Sequence, residues 1–177
     1  GLLTASTELL QGGKTATLNY LYDSFGNVRQ VTVSGSDITS RTTAITYETK
    51  GRFPTSVQNP LNQTANLTFE PKFGQVSTST DPNNLSTRWQ YDGFGREILE
   101  TRPDATTLET NYCAAGEESY KPSLAPAVGW IQTKTSGLPD QTFYYDPLGR
   151  EVRTATVGFD GTRVYGSQKL YNTRSCG

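Results

Sequence analysis

The residues able to do chemistry are few in kind: Asp and Glu number 17, Lys and Arg 16, Cys 2, and His is absent from all 177 residues. Without His, the Ser-His-Asp and Cys-His arrangements and every His-containing zinc site are excluded. Paired carboxylates could still run glycoside hydrolysis, which needs two acids facing each other across one cleft. Asp23, Asp92 and Asp146, however, each follow a Tyr and stand three residues before Gly26, Gly95 and Gly149. An acid required at every copy of a turn is expected to serve the turn. No catalytic residue is assigned on this pattern, and no enzyme is expected. Calcium suits carboxylates and turn carbonyls, yet neither an Asp-x-Asp-x-Asp-Gly loop nor a Gly-Gly-x-Gly-x-Asp run occurs. Gly12-Gly13-Lys14 and Gly93-Phe94-Gly95 read as turns and lack the spacing of a phosphate cradle. Cys113 and Cys176 show no metal or redox spacing and are expected as two unlinked thiols. No metal and no cofactor is therefore expected.

The element that positions these acids is clearest in residues 87–101. Trp89 and Tyr91 fall on one face and Arg88 and Gln90 on the other, the period of a half-exposed strand. Asp92-Gly93-Phe94-Gly95 then turns the chain, because Asp can accept a bond from the backbone two residues on and Gly tolerates a positive φ. Glu97–Thr101 is expected to pair back on the incoming strand. The same core returns as Tyr22-Asp23 with Gly26, as Tyr145-Asp146 with Gly149 and Arg150, and, with the longer acid, as Tyr47-Glu48 with Gly51. Phe69-Glu70 reaches Gly74 through one additional residue, Tyr112-Cys113 has lost the acid, and Tyr171-Asn172 opens a copy that the chain end interrupts. A unit of roughly 20 to 26 residues repeats, which favours an array over a single closed core. The one long step, after Cys113, contains 116–129 with Pro122 and Pro126 and reads as a surface loop inserted between units. Second turn signals at Asn59-Pro60-Leu61-Asn62, Asp81-Pro82-Asn83-Asn84, Pro103-Asp104-Ala105 and Phe159-Asp160-Gly161 fall half a period away. Each unit is then two strands of roughly seven residues and two turns, and residues 1–177 form one antiparallel meander.

Composition agrees with a thin sheet. Hydrophobic residues make up 33% and mean hydropathy is −0.57, low for a thick core, while aromatics reach 11% and must supply much of the burial. Threonines such as Thr43, Thr46, Thr68, Thr78 and Thr80 sit in the expected strands. No convincing helix is found; residues 2–11 have weak helical spacing but hold Thr4, Ser6 and Thr7 and run into Gly12-Gly13. With a net charge of −1 and no basic block, nucleic acid and anionic membrane are poor partners. No apolar run approaches the roughly 20 residues of a membrane span, and no signal-peptide pattern opens the chain. Lacking Met and stopping just inside a repeat, the chain reads as a piece of something longer. Tyr22, Tyr47, Tyr91, Tyr112, Tyr145 and Tyr171 could form a sugar-binding ladder or cross-strand packing, and packing is favoured.

Tyr-Asp-x-x-Gly-Arg, at Tyr91 to Arg96 and Tyr145 to Arg150, resembles the signature of the YD-repeat, or Rhs-repeat, family. The resemblance covers nearly the whole chain through several copies. It implies an all-β strip of antiparallel hairpin repeats that spirals into a hollow shell, as in bacterial Rhs polymorphic toxins, the B and C components of Tc toxins, and teneurins. In the toxins such a shell encloses a C-terminal effector; in teneurins it belongs to a cell-surface adhesion protein. Asp146-Pro147-Leu148-Gly149 imitates the opening of the Asp-Pro-x-Gly-Leu self-cleavage region of some Rhs toxins, but Arg150 stands where Leu is expected, so the protease is not carried over. The expectation is a structural shell segment of a secreted bacterial toxin, whose partners are the rest of the shell and an enclosed effector. The alternative is a cell-surface adhesion module holding a glycan or a receptor. The Tyr, Asp, Gly and Arg positions above, together with Trp89, are read as structural. Half-polar strands with bare edges and little apolar surface are stabilised by stacking on more of the same strip.

Overall fold

The structure, a computed structural model, describes residues 1–114 and 127–171. Among the described residues, fourteen antiparallel strands form a sheet whose spatial order is their order in the sequence. The chain groups into two compact units, Gly1–Arg88 and Trp89–Gly177.

The first unit holds β1 (Ala5–Leu9), β2 (Thr15–Tyr22), β3 (Val28–Gly35), β4 (Ile38–Tyr47), β5 (Pro54–Gln58), β6 (Thr64–Glu70), β7 (Gln75–Thr80) and the opening of β8 (Ser86–Tyr91). Residues 2–11, whose helical spacing is weak, contain a strand instead, and a 3-10 turn at Gln11–Gly13 leads into β2. Register sorts the side chains of this unit by face. Asn19 stands opposite Thr32 and Thr32 opposite Thr42. Farther along, Thr46, Ser56, Asn66, Thr80 and Ser86 form one continuous cross-strand row. Hydroxyls bond across these rows, Thr32 to Thr42 at 3.1 Å and Thr80 to Ser86 at 2.8 Å. The alternate positions carry Ile45 opposite Val57 and Val57 opposite Ala65. Every residue of this unit is half-buried or exposed, as a single layer with one modestly apolar face requires.

The second unit continues β8 and adds β9 (Glu97–Thr101), β10 (Thr107–Ala114), β11 (Gly129–Thr135), β12 (Asp140–Tyr145), β13 (Glu151–Val157) and β14 (Arg163–Tyr165). It has a small core of Ala127, Tyr144, Val152 and Ala155, with Trp130 packed against it. Trp130 faces Tyr144 across the β11–β12 ladder. Beyond β14 the chain continues along β13, with the Lys169 N–H donating to the Val152 carbonyl at 2.8 Å. The loop expected at 116–129 lies mostly outside the described residues, as does Cys176; Ala127, at its end, is buried and Gly129 opens β11. Cys113 is buried.

Candidate functional site

Each Tyr-Asp turn is built from one set of bonds. In the clearest copy the Asp92 N–H donates to the Arg96 carbonyl at 2.9 Å and the Gly95 N–H to the Asp92 carbonyl at 3.0 Å. Asp92 Oδ1 then accepts the N–H groups of Phe94 and Arg96, both at 2.9 Å. Asp23 and Asp146 repeat this geometry, accepting from Phe25 and Asn27 and from Leu148 and Arg150. Gly95 has a φ of 82°, the left-handed conformation that closes a type I turn with a bulge. The extra residue shows as a register shift at Leu21/Tyr22 and again at Tyr144/Tyr145. Glu48 makes a wider version: its N–H bonds the carbonyl of Phe53, and its Oε1 takes the N–H of Arg52 at 3.2 Å. At Glu70 the additional residue appears as a bond from the Gly74 N–H to the Glu70 carbonyl, 2.8 Å.

The turns on the opposite rim use the same device, which the sequence motif did not reveal. Asn59 Oδ1 accepts from Leu61 and Gln63, and Asp81 Oδ1 from Asn83 and Leu85. The residue three places on is again left-handed: Asn62 at 62°, Asn84 at 63° and, in the next turn, Ala105 at 65°. Asx residues three apart, the first followed by Pro, are the signal that identifies two of these turns.

Arg96 and Arg150 do what no single turn discloses. The Arg96 Nε donates to Asp92 Oδ2 at 2.7 Å, and its guanidinium lies 4.3 Å from the ring centroid of Tyr112, the tyrosine of the next copy. Arg150 repeats both contacts, with Asp146 at 2.8 Å and with Tyr171 at 4.3 Å. The phenol then reaches back: Tyr112 Oη donates to the Glu97 carbonyl at 3.2 Å and Tyr171 Oη to the Glu151 carbonyl at 2.9 Å. Tyr47 bonds the Val28 carbonyl and Tyr22 that of Leu3. At the first copy Asn27 takes the place of Arg, bridging Asp23 to the Gly51 carbonyl at 2.7 Å. Where Phe69 replaces Tyr, its ring stacks on Phe53, centroids 4.9 Å apart.

Electrostatics follow this geometry. Partial burial pushes the carboxyls of Asp23, Asp92 and Asp146 upward, but the hydrogen bonds each accepts outweigh it and leave all three below the ordinary carboxylate value. Asp81 is lowered first by the backbone bond from Leu85. Tyr91 and Tyr145 have matching surroundings: burial raises each phenol, and Glu97 and Glu151, six residues on, raise them further. The acids at the turns are thus engaged within their own turns, and among the described residues no group of three or more His, Cys, Asp or Glu could hold a metal ion.

Residues 72–107, running from the Glu70 turn through the clearest copy, match the family model described as RHS Repeat. Those residues carry the repeat that the family model describes. Solved structures carry the same strip. A crystal structure of TcdB2-TccC3-Cdc42 matches with a TM-score of 0.52 and 17% identity, over 81% of this chain and 8% of that one. A Tc holotoxin pore of Photorhabdus luminescens, carrying a TccC3 substitution, matches with a TM-score of 0.53 and 13% identity, over 90% of this chain and 9% of that one. The chain spans less than a tenth of either, and at these identities the likeness is one of fold. No curated protein matches the chain.

Proposed function

We propose that this chain is a wall segment of an encapsulating shell of a secreted bacterial toxin, which sequesters an effector lying outside the sequence. The observation that carries it is the coupling of two of the turns to the next through Arg96 and Tyr112, and through Arg150 and Tyr171. A residue set of this kind builds an extended strip whose turn acids are engaged within their own turns. The strip type recurs in Tc toxin assemblies, which supports the toxin setting. The tyrosine hydroxyls bond backbone carbonyls and two of the rings lie under Arg, which supports packing over a sugar-binding ladder. Limited proteolysis of the full-length gene product tests the reading: the effector should resist cleavage in the intact protein and become cleavable when Gly95→Val and Gly149→Val open the wall. An effector cleaved equally fast in both proteins would contradict it.

A further inference from the structure

The link between copies changes form at one place in the first unit. Arg96 and Arg150 each lie over the tyrosine ring of the following copy, but Arg52 lies over Phe53, 5.1 Å from its centroid, and Phe53 stacks on Phe69 of the following copy. One more ring thus stands between the cation and the next hairpin. Between the Glu48 and Glu70 turns lies a hollow of about 240 Å³, walled by Phe53, Leu67, Phe69 and Pro71 and edged by Glu48 and Arg52. Leu67 and Phe69, two apart on β6, turn to the same side of the sheet. Three departures from the Tyr-Asp-x-x-Gly-Arg pattern meet there: Glu48 replaces Asp, Phe69 replaces Tyr, and Phe53 follows the Arg. The charged pair at the edge keeps unused valences. The Arg52 backbone N–H and its Nε both donate to Glu48 Oε1, at 3.2 and 3.0 Å, which leaves Oε2 open to a further donor. A guanidinium has five N–H donors, and the bond to Glu48 takes the one on Nε. The side-chain bond from Arg52 also holds the Glu48 carboxyl below its ordinary value, so it stays ionised at neutral pH.

We propose that this hollow binds a free aromatic amino acid of the phenylalanine type, with its ring against Phe53 and Phe69, its ammonium on Glu48 Oε2 and its carboxylate on the Arg52 Nη groups. Size fits this occupant. An apolar cavity of about 150 Å³ holds a benzene ring, so the hollow has room for a ring and a short polar tail. It stands just under the roughly 300 Å³ at which pockets for drug-sized ligands begin. The walls fit as well, since two stacked rings extend naturally to a third in the offset or edge-on arrangements that aromatic groups prefer. Charge makes the choice narrower. A free amino acid carries its ammonium and its carboxylate on one carbon, matching a carboxylate and a guanidinium that stand 3.0 Å apart. A residue inside a peptide carries neither charge, and a simple aromatic acid or amine carries one. The inference goes beyond the shell reading, since it requires no enclosed effector.

The 177-residue chain, labelled with ¹⁵N, is titrated with L-phenylalanine and followed by NMR. Binding at about 1 mM or tighter is expected for a ligand of this size, with shift changes centred on residues 48–71. Four comparison ligands dissect the contacts. 3-Phenylpropionate, which lacks the ammonium, and phenethylamine, which lacks the carboxylate, should each bind at least about threefold more weakly, the worth of a partly exposed ion pair. N-acetylphenylalaninamide, with neither charge, should be weaker still, and glycine, with no ring, should leave the spectrum unchanged. Glu48→Gln keeps the Oε1 acceptor that the turn uses and should reduce affinity for phenylalanine while leaving that for 3-phenylpropionate as it was. Arg41→Gln, at an exposed position of β4, should alter neither. The dispersed spectrum of each variant reports directly that it is folded. No binding up to about 10 mM, shift changes centred elsewhere, or equal affinity for phenylalanine and N-acetylphenylalaninamide would overturn the proposal.

Discussion

The Arg96 guanidinium ion-pairs with Asp92 in its own turn and lies 4.3 Å from the ring of Tyr112 in the next, so one side chain both closes a hairpin and joins it to its neighbour. Lysine could keep the charge but not the planar fork that fits the carboxylate and the ring together. Arg96→Lys and Arg150→Lys are each expected to lower stability by about 0.5–2 kcal/mol, read as a lower urea midpoint at constant slope. Arg88→Lys, at an exposed strand position, should change it by less than about 0.5 kcal/mol.

The head residue of the turn acts through its oxygen. Asn59 makes with an amide the two backbone contacts that Asp92 makes with a carboxylate. Asp92→Asn should therefore retain the fold, losing about 1 kcal/mol or less with the Arg96 pair. Asp92→Ala strips two backbone N–H groups of their acceptor and should cost about 1–3 kcal/mol. Equal losses in both, by chemical denaturation, would show that charge alone matters.

Glycine and alanine should exchange with opposite signs at two turns. Gly51 has a φ of 66°, and a Cβ there would collide with the Phe25 ring, so Gly51→Ala should cost roughly 1–3 kcal/mol. Ala105 already stands at 65°, bearing the left-handed penalty of about 1–2 kcal/mol. Ala105→Gly should relieve it and, after the added freedom of the unfolded chain, raise stability by about 0.5–1 kcal/mol. Differential scanning calorimetry on both variants checks the pair of signs.

Much of the fold was legible in the sequence, and the reasons are local. Alternation around Trp89 and Tyr91 gives the strand, and Asp92 with Gly95 gives the turn, so the all-β antiparallel meander follows from short-range signals. The partner of Arg96 was not legible, because Tyr112 lies on another hairpin and only the register brings the two together. The turn at Ala105 was visible through Pro103-Asp104, but its left-handed Ala has no propensity signature. The weak helical spacing of residues 2–11 does not decide their structure; pairing with β2 makes β1 a strand whatever its local preference.

Acid should loosen the strip. The carboxyls of Asp23, Glu48, Asp81, Asp92, Asp104, Asp146 and Asp160 all titrate below their ordinary values in the folded chain. Their contribution is then fully present above the unfolded value of about 4 and is lost as pH falls through the lower folded values. Glu97, raised by burial and by Glu100, works in the opposite sense. The melting temperature is expected to be level from about pH 6 to 5 and to fall steadily toward pH 2; a rise on acidification would mean that acids of the Glu97 kind dominate.

The coupling of one repeat to the next is tested most directly by a double-mutant cycle on Arg96→Gln and Tyr112→Leu, followed by urea denaturation. A coupling energy of about 0.5–1 kcal/mol is expected for a partly exposed cation over a ring. Losses that simply add would contradict the clasp and leave the two hairpins joined by backbone pairing alone.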